Sequence, residues 1–377
     1  MAEYAAARVA APVVAAFFRR HLEEAAARGE GELAAPPDAG AIEAIIDAAF
    51  WASLRREEGS SPRISLAYLP PDSTEAPLTF GRAVPLEAAR LTKLAPAVEQ
   101  PGIHLGVWPG VEGLLVWGAT PLIPNACFVL EVVQPGLLVV KHRRAQATAK
   151  FANVAVLDGD RVSMVDEAGA SLPDCPALVE SLLGFDSPAS WGESSNVLVR
   201  LAVAMRRHGR GGSLLYVPAG SERWRDSVVQ PPTYPVAPPF SALARFIGAL
   251  QGGSADPADI EGLHRAIDTI AGLTAVDGAT AINDRYEVLA FGAKIRRRRG
   301  ADPVERVTVT EPVVGNSPEV VAPSEIGGTR HLSAAQFVQD QHDALALVAS
   351  QDGRFTVFAW SPCEEMVHGH RVEALLL

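Results

Sequence analysis

Two short polar motifs in the C-terminal half contain the residue types that bind phosphorylated ligands. The first is Asp277, Gly278 and Ala279, where a carboxylate precedes two small residues, so that the backbone can approach a ligand closely. The second is the Gly-Gly-Thr-Arg-His run at 327–331, just before a helix predicted over 333–341. A helix N-terminus with free N–H groups and a bidentate cation is what a phosphate site requires.

Each motif by itself also has a simple structural interpretation. An Asp-Gly pair is most often a turn, and Thr329 can be an ordinary N-cap with Arg330 in solvent. The two motifs together are more specific, because metal ligands and phosphate ligands must share one substrate. We therefore predict that Asp277 and the turn containing Thr329, Arg330 and His331 lie across one cleft.

The order of these motifs resembles the diadenylate cyclase (DAC) domain. That family has Asp-Gly-Ala and then Gly-Thr-Arg-His-Arg, followed by a strand–turn–strand with a serine similar to Ser350. The segment at 211–217 looks like the early core strand of the family, and Gly353 follows in the predicted turn. The resemblance spans about residues 195–360.

This resemblance implies that two ATP molecules are condensed to cyclic di-AMP or a related cyclic dinucleotide. Each 3′-hydroxyl would attack the α-phosphate of the other nucleotide, so a homo-dimer or higher oligomer is needed. It implies catalytic roles for Asp277, Arg330 and His331, with Asp277 holding Mg²⁺ or Mn²⁺. The nucleotide-binding residues that it implies are Gly278, Ala279, Gly328, Thr329, Arg330, His331 and Ser333.

Two positions depart from the family pattern. Leu332 stands where the family has a second arginine, and Gln351 stands where it tends to have an acidic residue. Loss of a cation beside a polyphosphate weakens transition-state stabilisation by about 3 kcal/mol. The four arginines at 296–299 either replace that charge or form a solvated turn. Two hypotheses stay open: an active cyclase, and a nucleotide-binding sensor whose DAC-like domain does not turn over.

The N-terminal half looks like the sensor domains of the DACNV type that precede DAC domains in some bacterial proteins, for example at residues 135–141. A basic cluster at 141–144 is either a solvated strand end or a place where an anionic effector docks. His368 and His370 lie near Cys363 and Glu364 and could ligate a metal, but without a further paired ligand a surface or partly buried imidazole pair is favoured.

The fold class predicted from the hydrophobic patterns is α/β (α+β). The C-terminal half is expected to form a mixed β-sheet flanked by helices, and the N-terminal half helices followed by a mostly antiparallel sheet. Predicted helices cover 4–28 (with a candidate break at Pro12), 42–54, 86–94, 197–207, 240–250, 257–270 and 333–341. Predicted strands cover 64–69, 111–116, 127–133, 137–140, 154–157, 162–165, 213–217, 273–276, 279–282, 288–291, 307–309, 344–348 and 355–360. Residues 231–239 are predicted to be an extended loop.

The length and composition set limits on organisation and partners. A chain of 377 residues predicts two domains, which we place at 1–188 and 189–377 because Pro173, Pro176 and Pro188 cluster near the boundary. The net charge of −11 disfavours unspecific nucleic-acid binding. Three distant cysteines without a CxxC pair predict no disulfide framework and favour a cytoplasmic location.

The charge-free stretch at 113–130 is long enough to raise the question of a membrane span. It contains Gly118, Pro121 and Pro124, which disfavour a helix there. We therefore predict two buried strands and no membrane span. The start of the chain also lacks the basic segment and apolar core of a signal peptide.

Overall fold

The computed structural model describes residues 3–29, 33–57, 59–100, 102–111, 113–143, 151–166, 197–251 and 257–376. The described residues form two compact units, one up to Val165 and one from Asp166 to Leu376. The predicted boundary near residue 188 and its three prolines lie outside the described residues. The exact boundary therefore stays a prediction.

The first unit starts with helices. Its helices are α1 (Ala5–Ala27), α2 (Ala39–Ser53) and α3 (Ala88–Leu94). The Asp38 side chain caps α2 by accepting a hydrogen bond from the Ala41 N–H at 2.7 Å, which satisfies a backbone donor that the helix itself leaves free. The expected break at Pro12 is wrong, because α1 continues through it. Proline has no backbone N–H, so Pro12 leaves the Arg8 carbonyl without its helical hydrogen bond. Both residues lie on an exposed face of the helix, where water can bond to that carbonyl.

A mixed sheet completes the first unit. Among the described residues its strand order is β2-β4-β3-β1-β5-β6-β7-β8. The strands are β1 (Ile64–Tyr68), β2 (Leu78–Pro85), β3 (His104–Gly110), β4 (Gly113–Thr120), β5 (Phe128–Gln134), β6 (Leu137–Arg143), β7 (Phe151–Asp158) and β8 (Arg161–Met164). Strands β1 and β3 are parallel and the other pairs are antiparallel, which confirms helices leading into a mostly antiparallel sheet.

The charge-free stretch forms β4 and β5, which confirms the prediction of two strands. No helix in the described ranges has both the length and the apolar character needed to span a bilayer. Strand β2 was not predicted. It is an edge strand with mostly exposed side chains, so it lacks the buried alternation that marks a strand in sequence.

The first unit's core lies between its helices and one face of the sheet. Phe18 of α1 and Ile45 of α2 pack in the same cluster as Leu66, Leu130 and Val140 from the sheet. Burial of each such side chain contributes about 1.5–3 kcal/mol. This packing explains why the apolar spacing of the two helices is visible in the sequence.

The second unit has helices on both faces of its sheet. Its helices are α4 (Val197–Arg207), α5 (Ala242–Gln251), α6 (Pro257–Thr274), α7 (Pro323–Ile326) and α8 (Thr329–Asp340). Helices α4, α5 and α6 share a core with one face of the sheet, and α8 shares a core with the other. Leu214 of the central strand belongs to the first core and the next residue, Leu215, to the second, as strand alternation requires.

The second sheet is mixed, as predicted. Its order among the described residues is β10-β12-β11-β9-β15-β16-β17-β13-β14, with β9–β11 and β13–β17 parallel. The strands are β9 (Gly212–Val217), β10 (Tyr234–Phe240), β11 (Ala279–Asn283), β12 (Val288–Ala293), β13 (Val307–Thr310), β14 (Glu319–Val321), β15 (Leu345–Ala349), β16 (Phe355–Ser361) and β17 (Met366–Arg371).

Two local predictions for this unit are wrong. The expected strand at 273–276 does not form, because α6 continues to Thr274 and Leu273 packs with the helical core. The expected loop at 231–239 instead contains β10 at the edge of the sheet. Proline cannot donate a ladder hydrogen bond, but it is tolerated on an edge strand, which explains how Pro235, Pro238 and Pro239 are accommodated.

Candidate functional site

One cavity in the second unit brings the two polar motifs together. Its volume is about 460 Å³. All the residues that the sequence singled out for a site line this cavity: Asp277, Gly278, Ala279, Gly328, Thr329, Arg330, His331 and Ser333. The same cavity is also lined by Ser213, Ala293, Lys294, Ile295, Val348, Ala349 and Ser350.

Three central strands fix one side of the cavity. Ser213 near the start of β9 lies opposite Ala279, the first residue of β11, and opposite Val348 near the end of β15. These residues are buried and held by ladder hydrogen bonds on both sides of β9. The 277–279 turn is therefore attached to a rigid support.

Gly278 gives the first motif its close packing. Its φ is +109°, and a Cβ at this position would lie 2.4 Å from the carbonyl carbon of Gly292. Only glycine allows the turn to lie this close to the end of β12. The glycine therefore has a structural reason that is independent of any ligand, while the adjacent Asp277 side chain remains exposed.

Asp277 forms an ion pair that the sequence did not reveal. The Lys294 ammonium, just after β12, donates a hydrogen bond to its Oδ2. This hydrogen bond and the lysine charge hold the pKa of the Asp277 carboxyl below its usual range, and the Arg330 charge acts in the same direction. No sequence pattern links Lys294 to Asp277, because the contact depends on the pairing of β11 with β12.

The second motif begins helix α8 beside the same cavity. Gly328 is the N-cap and Thr329 is the first helical residue, so the alternative that Thr329 caps the helix is wrong. Among the described residues, the N–H groups of Thr329 and Arg330 have no hydrogen-bond acceptor. These free donors and the positive end of the helix dipole favour an anion here.

Arg330 places a cation next to those donors. Its side chain is exposed, and within the described ranges it forms no ion pair. A Cβ on Gly211 would lie 2.8 Å from the Arg330 Nη1, so that glycine leaves room for the guanidinium. The arrangement leaves a bidentate cation available for a phosphate or carboxylate.

His331 differs from Arg330 in its environment. It is buried, and its Nε2 has no hydrogen-bond partner in the described part of the chain. Burial lowers the pKa of its imidazole, against the opposite effect of the Asp352 charge. A Cβ on Gly327 would lie 2.4 Å from its Nδ1, so the glycine packs directly on the ring. The lowered pKa favours the neutral form of this imidazole.

The two departures from the DAC pattern lie outside the cavity lining. Leu332 is exposed on α8, and the Gln351 amide donates to the Arg210 carbonyl at 3.3 Å. Ser350 lines the cavity. Burial acts to raise the pKa of the nearby Asp352 carboxyl, but a hydrogen bond from the Ser350 hydroxyl helps to lower that pKa below its usual range. Leu332 and Gln351, which replace the arginine and the acidic residue of the family, therefore do not line the cavity.

Asp277 can serve as a ligand for a metal ion that binds together with a nucleotide. The described residues of the cavity do not provide enough ligands to hold a metal ion without a nucleotide. In the described ranges no group of three or more His, Cys, Asp or Glu side chains is placed to hold a metal ion. Nucleotide-bound Mg²⁺ needs only one or two protein carboxylates, with phosphates and water as its other ligands. Asp277 is the carboxylate that the cavity lining offers, and its side chain is open to solvent.

The other polar clusters have structural partners. Lys141 is buried and pairs with Glu131 at 2.5 Å, so the interpretation of 141–144 as a solvated strand end is wrong for this residue. His368 and His370 are buried on β17, the first 2.9 Å from a Glu364 oxygen and the second 2.8 Å from the Thr310 hydroxyl. Arg144 lies outside the described residues.

Comparison with known proteins supports part of the resemblance. The family model described as "Probable sensor domain DACNV" matches residues 31–121. The match begins before α2 and ends just after β4, so it lies within the first unit and upstream of the 135–141 segment. No curated protein matches the chain. The DAC resemblance of the second unit therefore rests on its motifs.

Proposed function

We propose that the second unit binds ATP in this cavity and condenses two ATP molecules to cyclic di-AMP or a related cyclic dinucleotide. The first unit, similar to a probable sensor domain, would regulate this reaction. The observation that carries the proposal is the convergence of both polar motifs on one cavity. Its volume is within the range of about 300–1,000 Å³ that is typical of small-ligand sites.

Each group of the site would have a separate role in phosphoryl transfer. The free N–H groups at the start of α8 and the Arg330 guanidinium hold phosphate oxygens, and Gly278 and Ala279 line the ribose and base. A divalent metal supplies charge neutralisation at the reacting phosphate when it is bound, and Asp277 is the residue that would hold it. In such reactions positioning and electrostatic stabilisation provide most of the rate.

The reaction requires two copies of the unit. Each cavity holds one nucleotide, and each 3′-hydroxyl must reach the α-phosphate of the other nucleotide. Asp277 and Arg330 are exposed at the cavity, so a bound nucleotide would remain accessible from outside. We therefore propose a homo-dimer or higher oligomer as the active form.

A second candidate is a nucleotide sensor without turnover. Two observations favour it: Lys294 already occupies the Asp277 carboxylate, and Leu332 provides no cation beside the cavity. Either feature reduces stabilisation of the transition state more than it reduces binding of ATP. The two candidates thus share the site and differ in the reaction.

The test incubates the full chain with ATP and Mg²⁺ or Mn²⁺ and identifies products by mass. We expect cyclic di-AMP from the wild type and none from Asp277→Asn, which keeps the side-chain shape but removes the charge. Asp268→Asn is the matched control, because Asp268 is also an exposed carboxylate in an ion pair, with Arg207 at 2.6 Å, but lies outside the cavity lining. It should form product at the wild-type rate.

Two further variants distinguish the binding of ATP from its conversion to product. Arg330→Ala should weaken ATP binding by about 10- to 150-fold, because it removes a charge-assisted contact. Leu332→Arg should raise or create product formation if the missing cation limits the rate. If the wild type binds ATP, yet neither it nor Leu332→Arg forms product in a verified dimer, the sensor candidate is correct. If neither ATP nor cyclic di-AMP binds at millimolar concentration, both candidates are wrong.

A further inference from the structure

Lys294 is a polar residue of the cavity to which the sequence motifs assign no role. Its ammonium group pairs with Asp277, and both residues line the cavity. The Lys294 side chain is 51% exposed and the Asp277 side chain 91% exposed. Such an exposed pair contributes little to folding stability, so stability does not explain its position.

We infer that Lys294 is a nucleotide-binding residue that neutralises Asp277 in place of a divalent metal while ATP binds. ATP binding to this cavity is then independent of metal, whereas any turnover still requires it. This inference rests on the proposed nucleotide site and assigns a further binding residue to it.

The charges of the cavity support this role. The charged groups of the lining are the Asp277 carboxylate and the cations of Lys294 and Arg330, so the lining is positive in a chain whose net charge is −11. Arg330 lines the same cavity as Asp277, and its charge adds to the effect of Lys294 in lowering the pKa of that carboxyl. Without Lys294, an exposed carboxylate would repel the phosphates at the start of α8.

The backbone at Lys294 is fixed, and its side chain is half-exposed. The Val229 N–H donates to the Lys294 carbonyl at 2.8 Å, and Ile295 forms a β-bridge with Val228. The half-exposed ammonium group can therefore contact a bound phosphate while it stays paired with Asp277, without movement of the main chain. A cation in this position neutralises the carboxylate and binds the phosphate at the same time.

A metal ion and the ammonium group compete for the same Asp277 carboxylate. Asp277 would hold a metal that binds with the nucleotide, and it would then no longer need Lys294 as a counter-charge. Substitution of Lys294 should therefore weaken ATP binding most when no metal is present.

The experiment measures ATP affinity of the full chain by calorimetry, in EDTA and in Mg²⁺. We expect the wild type to bind ATP in EDTA, and Lys294→Met to weaken that binding by about tenfold. In Mg²⁺ the same variant should lose about threefold or less. Arg265→Met is the matched control, since it removes a cation from an exposed ion pair with Glu261 on α6, away from the cavity. It should bind ATP as the wild type does.

Asp277→Asn should change the affinity for ATP in EDTA in the opposite direction from Lys294→Met. It should bind ATP in EDTA about threefold more tightly than the wild type, because it removes the repulsive charge and leaves Lys294 free. Circular dichroism establishes that each variant is folded before its affinity is compared.

Three outcomes would overturn the inference. It is wrong if the wild type binds ATP only in Mg²⁺, if Lys294→Met matches the wild type in EDTA, or if Asp277→Asn weakens binding in EDTA. The proposed nucleotide site stands in each of these cases. If the wild type fails to bind ATP in both conditions, the proposed function is wrong as well.

Discussion

Lys141 in the first unit and Lys294 in the second each pair with a carboxylate, but the two pairs differ in their exposure to solvent. The Lys141 and Glu131 side chains are 10% and 31% exposed, on the adjacent strands β6 and β5. Those of Lys294 and Asp277 are 51% and 91% exposed, at the rim of a cavity. The first pair is largely shielded from solvent, whereas the second is open to it.

The same difference holds between one polar pair of the first unit and two residues beside the cavity of the second. In the first unit, the buried Ser65 hydroxyl and His104 Nδ1 bond to each other at 2.7 Å. In the second, the Arg330 side chain has no ion-pair partner in the described ranges, and the His331 Nε2 has no hydrogen bond there. Polar groups that satisfy each other stabilise a fold, whereas unpaired groups around a cavity are available for binding.

The largest predicted effect concerns the turn that carries Asp277. Gly278→Ala should destabilise the second unit by about 4 kcal/mol, because it combines a strained positive φ with a contact between the new Cβ and the Gly292 backbone. Gly220→Ala is the control, since Gly220 also has a positive φ (+75°) but open space around it, and it should cost about 1 kcal/mol. Native-state hydrogen exchange of the β9 and β11 amides measures both values. Equal costs would show that the turn is not held by this close packing.

The next prediction concerns the pH dependence of the first unit. Burial lowers the pKa of His104 from 6.5 to about 4, so the unfolded chain takes up a proton between these values while the folded unit does not. Stability is therefore complete above pH 6.5 and falls by up to about 3 kcal/mol as the pH decreases toward 4.

His104→Gln should reduce this loss, measured by urea unfolding at both ends of the pH window. His370 in the second unit also has a pKa lowered by burial, to about 3, so only the difference between wild type and variant isolates His104. An unchanged pH dependence in the variant would contradict the burial argument.

The smallest predicted effects compare the two lysines directly. Lys141→Met should destabilise the first unit by about 1–2 kcal/mol, because it leaves the partly buried Glu131 without its cation. Lys294→Met should leave stability unchanged within error, since both members of its pair are exposed. Urea unfolding of the two variants tests this contrast. A loss of stability in Lys294→Met that matches the loss in Lys141→Met would show that the second pair is structural too.

Most elements with a buried face could be predicted from the sequence. Helices α1, α2, α4 and α8 and the central strands of both sheets have apolar residues at the spacing that burial requires. Most of the missed strands lack this signal: β2, β10 and β14 are edge strands, and β17 reads Met-Val-His-Gly-His-Arg. Strand β3 was also missed; its apolar residues are interrupted by Gly106 and Pro109. Strand β17 lies between β13 and β16, and its two histidines are buried.

The sequence by itself determined which residues are candidates for the site, because Asp277, Thr329, Arg330 and His331 belong to short motifs of suitable chemistry. It could not determine their charge states or their partners. Strand pairing brings Lys294 to Asp277, and the pKa of His331 is lowered because the packing of α8 on the sheet buries it. Both properties depend on residues that are distant in sequence, so only the tertiary structure decided them.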